Sequence, residues 1–88
     1  MFYVYILQSS RNGDLYAGFS KDLKTRIKTH FSKEVHTTKR MGDIRLIFYE
    51  AYLSEKDARR REKYFKSTKG KRALKIMLSD SLNIGAFV

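Results

Sequence analysis

An 88-residue chain that is 42% apolar and 14% aromatic has enough hydrophobic surface for one core, and lies far from the apolar-poor signature of a disordered segment. It has no cysteine, which excludes disulfides and thiolate-held zinc, and no run near the ~18 apolar residues of a membrane span. Nineteen Lys and Arg against nine Asp and Glu give a formal charge of +10, more than solubility demands of so small a domain, so a polyanionic partner is expected.

Residues 2–8 alternate, with Phe2, Val4 and Ile6 on one face and Tyr3, Tyr5 and Leu7 on the other, the period-two pattern of a half-buried strand. The same opening lacks the basic n-region and small-residue cleavage site of a secretory leader, so the cytoplasm is the expected location and no membrane partner is expected. Asn12-Gly13 tolerates positive φ, and residues 15–19 resume the apolar run, which predicts an antiparallel hairpin with Tyr16 and Gly18 on one face of its second strand. Ser20 reads as an N-cap. Leu23, Ile27 and Phe31, at four-residue spacing, predict a helix over 21–32 laid on an apolar surface.

Residues 33–43 lose periodicity, are polar and basic, and read as an exposed loop. Residues 44–51 are β-prone and almost unbroken in apolar character, which places a third strand at the sheet centre or between two covered faces. Ser54, with Asp57 three residues on, resembles a capping box, and Ala58, Glu62 and Phe65 mark one face of a second helix ended by Gly70. A last stripe runs over 72–78 through Ala73, Leu74, Met77 and Leu78. Residues 82–88 form a tail expected to fold its apolar side chains back onto the body. The order is ββαβαα, an α+β arrangement in one domain over 1–88, with a core of about 1–78 and a C-terminal tail of 79–88.

Charge is unevenly placed: residues 1–20 carry one basic residue, 21–40 carry seven and 55–75 carry ten. Neither segment has zipper heptads or Cys/His finger spacing, so contact with phosphate is the simpler account than a merely solvated helix face. Tyr5 and Tyr16 can lie close on one face of the hairpin. They either pack as strand tyrosines commonly do, or one phenol is pulled down from ~10 by nearby cations until it takes a proton from water. Arg26 and His30 are one turn apart on the side of the helix facing the sheet. Arg26 either snorkels or grips a phosphate, and His30 is either a satisfied border residue or a proton shuttle. Glu62 stands among Arg59, Arg60, Arg61 and Lys63 yet falls on the face that should be buried. It is read either as an ion-pair partner, with Arg26 a candidate, or as a hard-oxygen ligand for Mg²⁺. Nearby carboxylates are too few for a two-metal site.

YVY at residues 3–5, YAG at residues 16–18, Arg26 with His30 four residues on, and Glu62 in the second helix together resemble the GIY-YIG nuclease family. FYVYILQS, LIFYEAY and DARRREKYFKS are similar to stretches of its small stand-alone bacterial members, over about residues 1–75. The resemblance implies a small three-stranded antiparallel sheet flanked by helices. It further implies a one-metal phosphodiesterase, as in homing endonucleases and the N-terminal domain of an excision-repair nuclease. Tyr5 and Tyr16 would line the site, one of them acting as general base or positioning the water. Arg26 would stabilise phosphoryl charge, His30 would assist proton transfer, and Glu62 would hold a single Mg²⁺ or Mn²⁺ serving the leaving oxygen. Lys39, Arg40, Arg59, Arg60, Lys63, Lys66, Lys69 and Lys71 are expected to contact the nucleic-acid backbone.

The function so implied is a metal-dependent endonuclease acting on double-stranded or branched DNA, in repair or recombination. RNA is a further possible partner, and a protein partner could supply specificity. A rival is a nucleic-acid-binding module that keeps the fold without the chemistry, and a third reading is a structural protein of a ribonucleoprotein.

Overall fold

A tight turn starts the sheet. Gly13 sits at φ +76°, a region open to glycine at little cost, while its N–H donates to Ser9 O at 3.0 Å and Ser9 N–H donates to Asp14 O at 2.9 Å. In the computed structural model, which describes residues 1–32 and 42–84, this turn joins β1 (Phe2–Ser9) to β2 (Leu15–Ser20). The chain continues through α1 (Leu23–Phe31), β3 (Ile44–Tyr52), α2 (Glu55–Lys66), α3 (Thr68–Met77) and a single turn, α4 (Ser79–Leu82). The three strands pair antiparallel in the order β2-β1-β3, giving the predicted α+β fold.

The expected position of the strands is corrected in one respect: the central strand is β1, not β3. Val4, Tyr5, Ile6 and Leu7 are each no more than 1% exposed, so β1 is covered on both faces rather than half-buried. The apolar run in β3 has a different cause. A bulge opposite Ile6 and Leu7 inserts Ile47, so Ile47 and Phe48 both reach the same side of an edge strand, while Tyr49 stays 53% exposed.

One sheet face buries Val4, Ile6 and Ala17 against Ala58 and Phe65 of α2, Leu74 of α3, and Leu78. The other carries Tyr5, Leu7 and Ile44, with Leu23 and Ile27 of α1 packed over them. In α1 the inward stripe is Leu23, Ile27 and His30. A straight helix turns 100° per residue, so the third contact falls seven residues after the first, and Phe31, expected to be buried, is half-exposed. The N-cap is Asp22, not Ser20: its carboxylate accepts from Thr25 N–H at 3.2 Å and from Thr25 Oγ1 at 2.8 Å. Ser20 instead braces the turn before the helix, its Oγ accepting from Asp22 N–H at 3.0 Å.

Ser54 caps α2 as expected, but Gly70 does not end it. Ser67 is the joint, donating to Tyr64 O at 2.6 Å and accepting from Gly70 N–H at 3.1 Å, so it closes α2 and opens α3. Gly70 lies in the first turn of α3, where an added Cβ would sit 1.8 Å from Tyr64 O. Its role is close approach of two backbones. Leu74 and Leu78 are buried as expected, whereas Met77 is half-exposed. Within the tail, Leu82 packs on the core and Ile84 is exposed, and residues 85–88 lie outside the described part. Most of the predicted 33–43 loop, residues 33–41, also lies outside it. Among the described residues no helix is long and apolar enough to cross a membrane.

Candidate active site

Strand register sets the first part of the site. Tyr5 pairs with Gly18 and Leu7 with Tyr16, so the two phenols share a face on a cross-strand diagonal. The missing side chain at Gly18 is what lets the Tyr5 ring lie across β2: a Cβ at Gly18 would fall 2.2 Å from Tyr5 Cζ and 2.3 Å from its hydroxyl. On the same face α1 delivers His30, fully buried, with its Nε2 2.7 Å from Tyr5 Oη. The imidazole lies edge-on to both tyrosines, 5.4 Å from the Tyr5 ring and 5.5 Å from the Tyr16 ring. The sequence left His30 open between a satisfied border residue and a proton shuttle; it is fully buried, with a buried hydrogen bond.

Electrostatics then fix who holds the proton. Burial, with Tyr16 and Glu62 adding to it, pushes the Tyr5 phenol above its ordinary value, against a smaller downward pull from Arg26. Of the two readings offered for the tyrosines, the one in which cations lower a phenol does not hold for Tyr5, because desolvation outweighs them. Burial also lowers His30, and the Arg26 charge lowers it further. A protonated phenol facing a neutral imidazole makes the Tyr5 O–H the donor and His30 Nε2 the acceptor.

Lowering of His30 carries a pH dependence whose sign is fixed. In the window between its folded value and the ordinary 6.5, the unfolded chain binds more protons than the folded one. Stability therefore falls as pH drops below about 6.5, with a limiting slope of about 1.4 kcal/mol per unit. Thermal melts between neutral pH and pH 5 should show a larger acid loss for the wild type than for His30→Gln. Equal losses would contradict a buried neutral His30.

Around this pair opens a cleft of about 360 Å³ at the β2 edge of the sheet. Tyr5 and Tyr16 form its inner wall, Arg26 enters from α1, and Arg59 and Glu62 enter from α2. Arg26 is exposed, while the Glu62 side chain is only 18% exposed. The intramolecular ion pair foreseen for Glu62 does form, but with Lys66, whose Nζ is 3.1 Å from Oε2, and not with Arg26. The i,i+4 spacing makes Lys66 the nearer partner. All five residues singled out for catalysis and metal binding thus meet: four line the cleft, and His30 stands behind Tyr5.

A family model described as the GIY-YIG catalytic domain matches residues 1–75. The chain belongs to the GIY-YIG family. Its relatives include the UPF0213 protein CPE1444 of Clostridium perfringens, 31% identical over 83 residues, which are 93% of this chain and 88% of that one. The UPF0213 protein YazA of Bacillus subtilis is 36% identical over 76 residues, 84% of this chain and 76% of the other. Among solved structures, the solution NMR structure of the UPF0213 protein BH0048 from Bacillus halodurans aligns over the whole of both chains with TM-score 0.58 and 29% identity. The two GIY-YIG motif segments are here YVY on β1 and YAG on β2, the strands that carry the phenols.

The remaining basic residues separate by position. Arg59 is part of the cleft, its guanidinium 3.8 Å over the Phe19 ring and its Nε 3.5 Å from Glu55 Oε2. Arg60 pairs with Asp57 at 3.1 Å and is exposed, as are Lys63 and Lys69. Lys71 lines a separate depression with Asp14 and Lys75. Lys39 and Arg40 lie outside the described residues. Arg61 is committed to the fold, bonded to Glu50 at 3.0 and 3.3 Å and stacked on Phe65. Sequence reasoning passed over Phe19, Ser20 and Lys21, which also line the cleft; their signal is position, since they directly follow Gly18 at the end of β2.

GIY-YIG nucleases generally use a divalent metal. Among the described residues there is no cluster of three or more His, Cys, Asp or Glu. Glu62, the one carboxylate among the described residues lining the cleft, keeps its second oxygen outside the Lys66 pair. That donor set fits one hard cation completed by water and phosphate.

Proposed function

We propose that this chain is a divalent-metal-dependent endonuclease hydrolysing DNA phosphodiester bonds, with the Tyr5, Tyr16, Arg26, Glu62 cleft as its cutting centre. The observation that carries the reading is the buried Tyr5 Oη to His30 Nε2 contact at 2.7 Å, opening on a cleft that also holds Arg26 and Glu62.

That contact supplies a proton path. As water attacks phosphorus, its proton passes to Tyr5 Oη while the phenolic proton passes to His30 Nε2, so the buried phenol is never left ionised. A phosphate drawn beside Arg26 offsets the positive field that depresses His30, and the imidazole becomes a better acceptor when substrate is present. Arg26 and Arg59 stabilise charge gathering on the phosphoryl oxygens, and Tyr16 orients the water from the same wall. Glu62 would hold Mg²⁺ or Mn²⁺, which when bound neutralises charge on a phosphate oxygen. The exposed Lys63 and Lys69 serve the backbone further out. Repair or recombination of DNA is the setting we propose.

Conversion of supercoiled plasmid to nicked and linear forms tests the reading. Purified protein should cut with Mg²⁺ or Mn²⁺ and stop on EDTA addition; supercoiled and branched substrates left intact with either ion would refute it. The Glu62–Lys66 pair favours a second reading, a binding module whose carboxylate is already neutralised. It predicts salt-sensitive binding with no cutting.

A further inference from the structure

Helix α1 has two flanks. One forms the cleft; the other forms a groove of about 670 Å³ against β3. Three aromatic rings are presented in it: Tyr3 and Tyr49, with ring centroids 6.3 Å apart and planes tilted by 60°, and Phe31 across from them on α1. Tyr49 is 53% exposed and Phe31 50%, so both rings are open to a ligand from solvent. Lys24 and Lys28 follow one another along the helix beside these rings, and Lys21 lines both the groove and the cleft. The acidic residue here, Asp22, has its carboxylate engaged by Thr25 at the start of α1.

Rings with apolar faces beside a row of cations match a strand of unpaired nucleotides. Bases stack on the aromatic side chains while phosphates meet the lysines, and no base-edge hydrogen bonding is needed. A duplex keeps its bases stacked inside and cannot offer them to Tyr49 or Phe31. We infer, resting on the nuclease reading, that the Tyr3, Tyr49, Phe31 groove is a binding site for single-stranded nucleic acid. Unpaired nucleotides run past Lys21 from the groove to the cutting cleft. The preferred substrate class is then one with an unpaired strand beside the scissile bond: a flap, a branch or a single strand.

Fluorescence anisotropy in EDTA, with Glu62→Gln as the parent, separates this site from cleavage. Probes are oligo(dT) and oligo(rU) of about twelve nucleotides, within the usual footprint of such sites, and a blunt DNA duplex of equal length. Tyr49→Ala should weaken single-strand binding about tenfold, the loss of one stacked base, and leave duplex binding near the parent value. Tyr49→Phe, which keeps the ring, should bind like the parent. Lys24→Gln with Lys28→Gln should reduce the single-strand salt slope by about 1.4. Phe31→Ala serves as the second aromatic variant, and melting curves verify folding of each. Binding of dT, rU or both supports the site and names its source. Tyr49→Ala and Phe31→Ala variants that bind single strands like the parent, or that lose duplex binding equally, overturn it. A protein that discriminates in this way but never cuts keeps the groove and loses the nuclease reading; one that cuts without discriminating does the reverse.

Discussion

Tyr5→Phe should lower the strand-cleavage rate by about 10²- to 10⁴-fold while leaving affinity for DNA close to wild type. Removing the hydroxyl deletes the donor to His30 Nε2, the atom that in the proposed relay receives the proton from water, and a positioned proton-transfer group is commonly worth that factor. The ring remains, so the packing of Tyr5 over Gly18 is kept. Stability should fall by about 0.5–1.5 kcal/mol, because one buried hydrogen bond, the 2.7 Å contact to His30, is lost. The activity loss exceeds what partial unfolding of that size would give at 25 °C in a domain of ordinary stability, so a melt and a rate on the same sample separate the two. Tyr5→Phe protein that is folded and cuts at the wild-type rate would rule out the relay.

Glu62→Gln should reduce cutting by about a thousandfold or more, and added Mg²⁺ should not restore it. An amide keeps the shape of the side chain but loses the charge that, in the proposed site, would hold a divalent cation, and with it several kcal/mol of charge stabilisation. Binding should go the other way. The cleft loses its negative charge, and Lys66, now paired with Glu62 at 3.1 Å, is released to meet phosphate, so affinity measured in EDTA should be equal or tighter. EDTA should stop the wild-type protein as completely as the substitution does. A Glu62→Gln protein that binds more weakly and cuts normally would show the carboxylate to be a structural partner of Lys66 alone.

Much of this architecture was legible because local signals agreed. Asn12-Gly13 between two apolar runs specified the hairpin, and the hairpin register then placed Tyr5, Tyr16 and Gly18 on one face. Ser54 with Asp57 marked the start of α2, and Ala58 and Phe65 its buried side. The misses share a cause: each depends on what another element covers. Tyr3, Tyr5 and Leu7 alternate with Phe2, Val4 and Ile6, yet which faces are buried is decided by α1 on one side and α2 and α3 on the other. Gly70 reads as a helix stop, and only the approach of α3 to the Tyr64 carbonyl shows that it is a contact.

In the site, position was readable but electrostatics were not. The basic character of the chain left open a phenol lowered by cations, whereas burial raises that of Tyr5. The stacking of Arg59 on Phe19, and the groove shared by Tyr49 and Phe31, each join residues of two different elements far apart in the chain, beyond the reach of any local pattern.

The most direct test is the single-turnover cleavage rate of a labelled DNA strand at saturating protein in Mg²⁺, with wild type, Tyr5→Phe and Glu62→Gln measured side by side. Wild-type protein should cut, and both variants should bind the strand and leave it intact over the same time. Intact strands with the wild type, or cutting by Glu62→Gln at the wild-type rate, would contradict the assignment of this cleft as a nuclease centre.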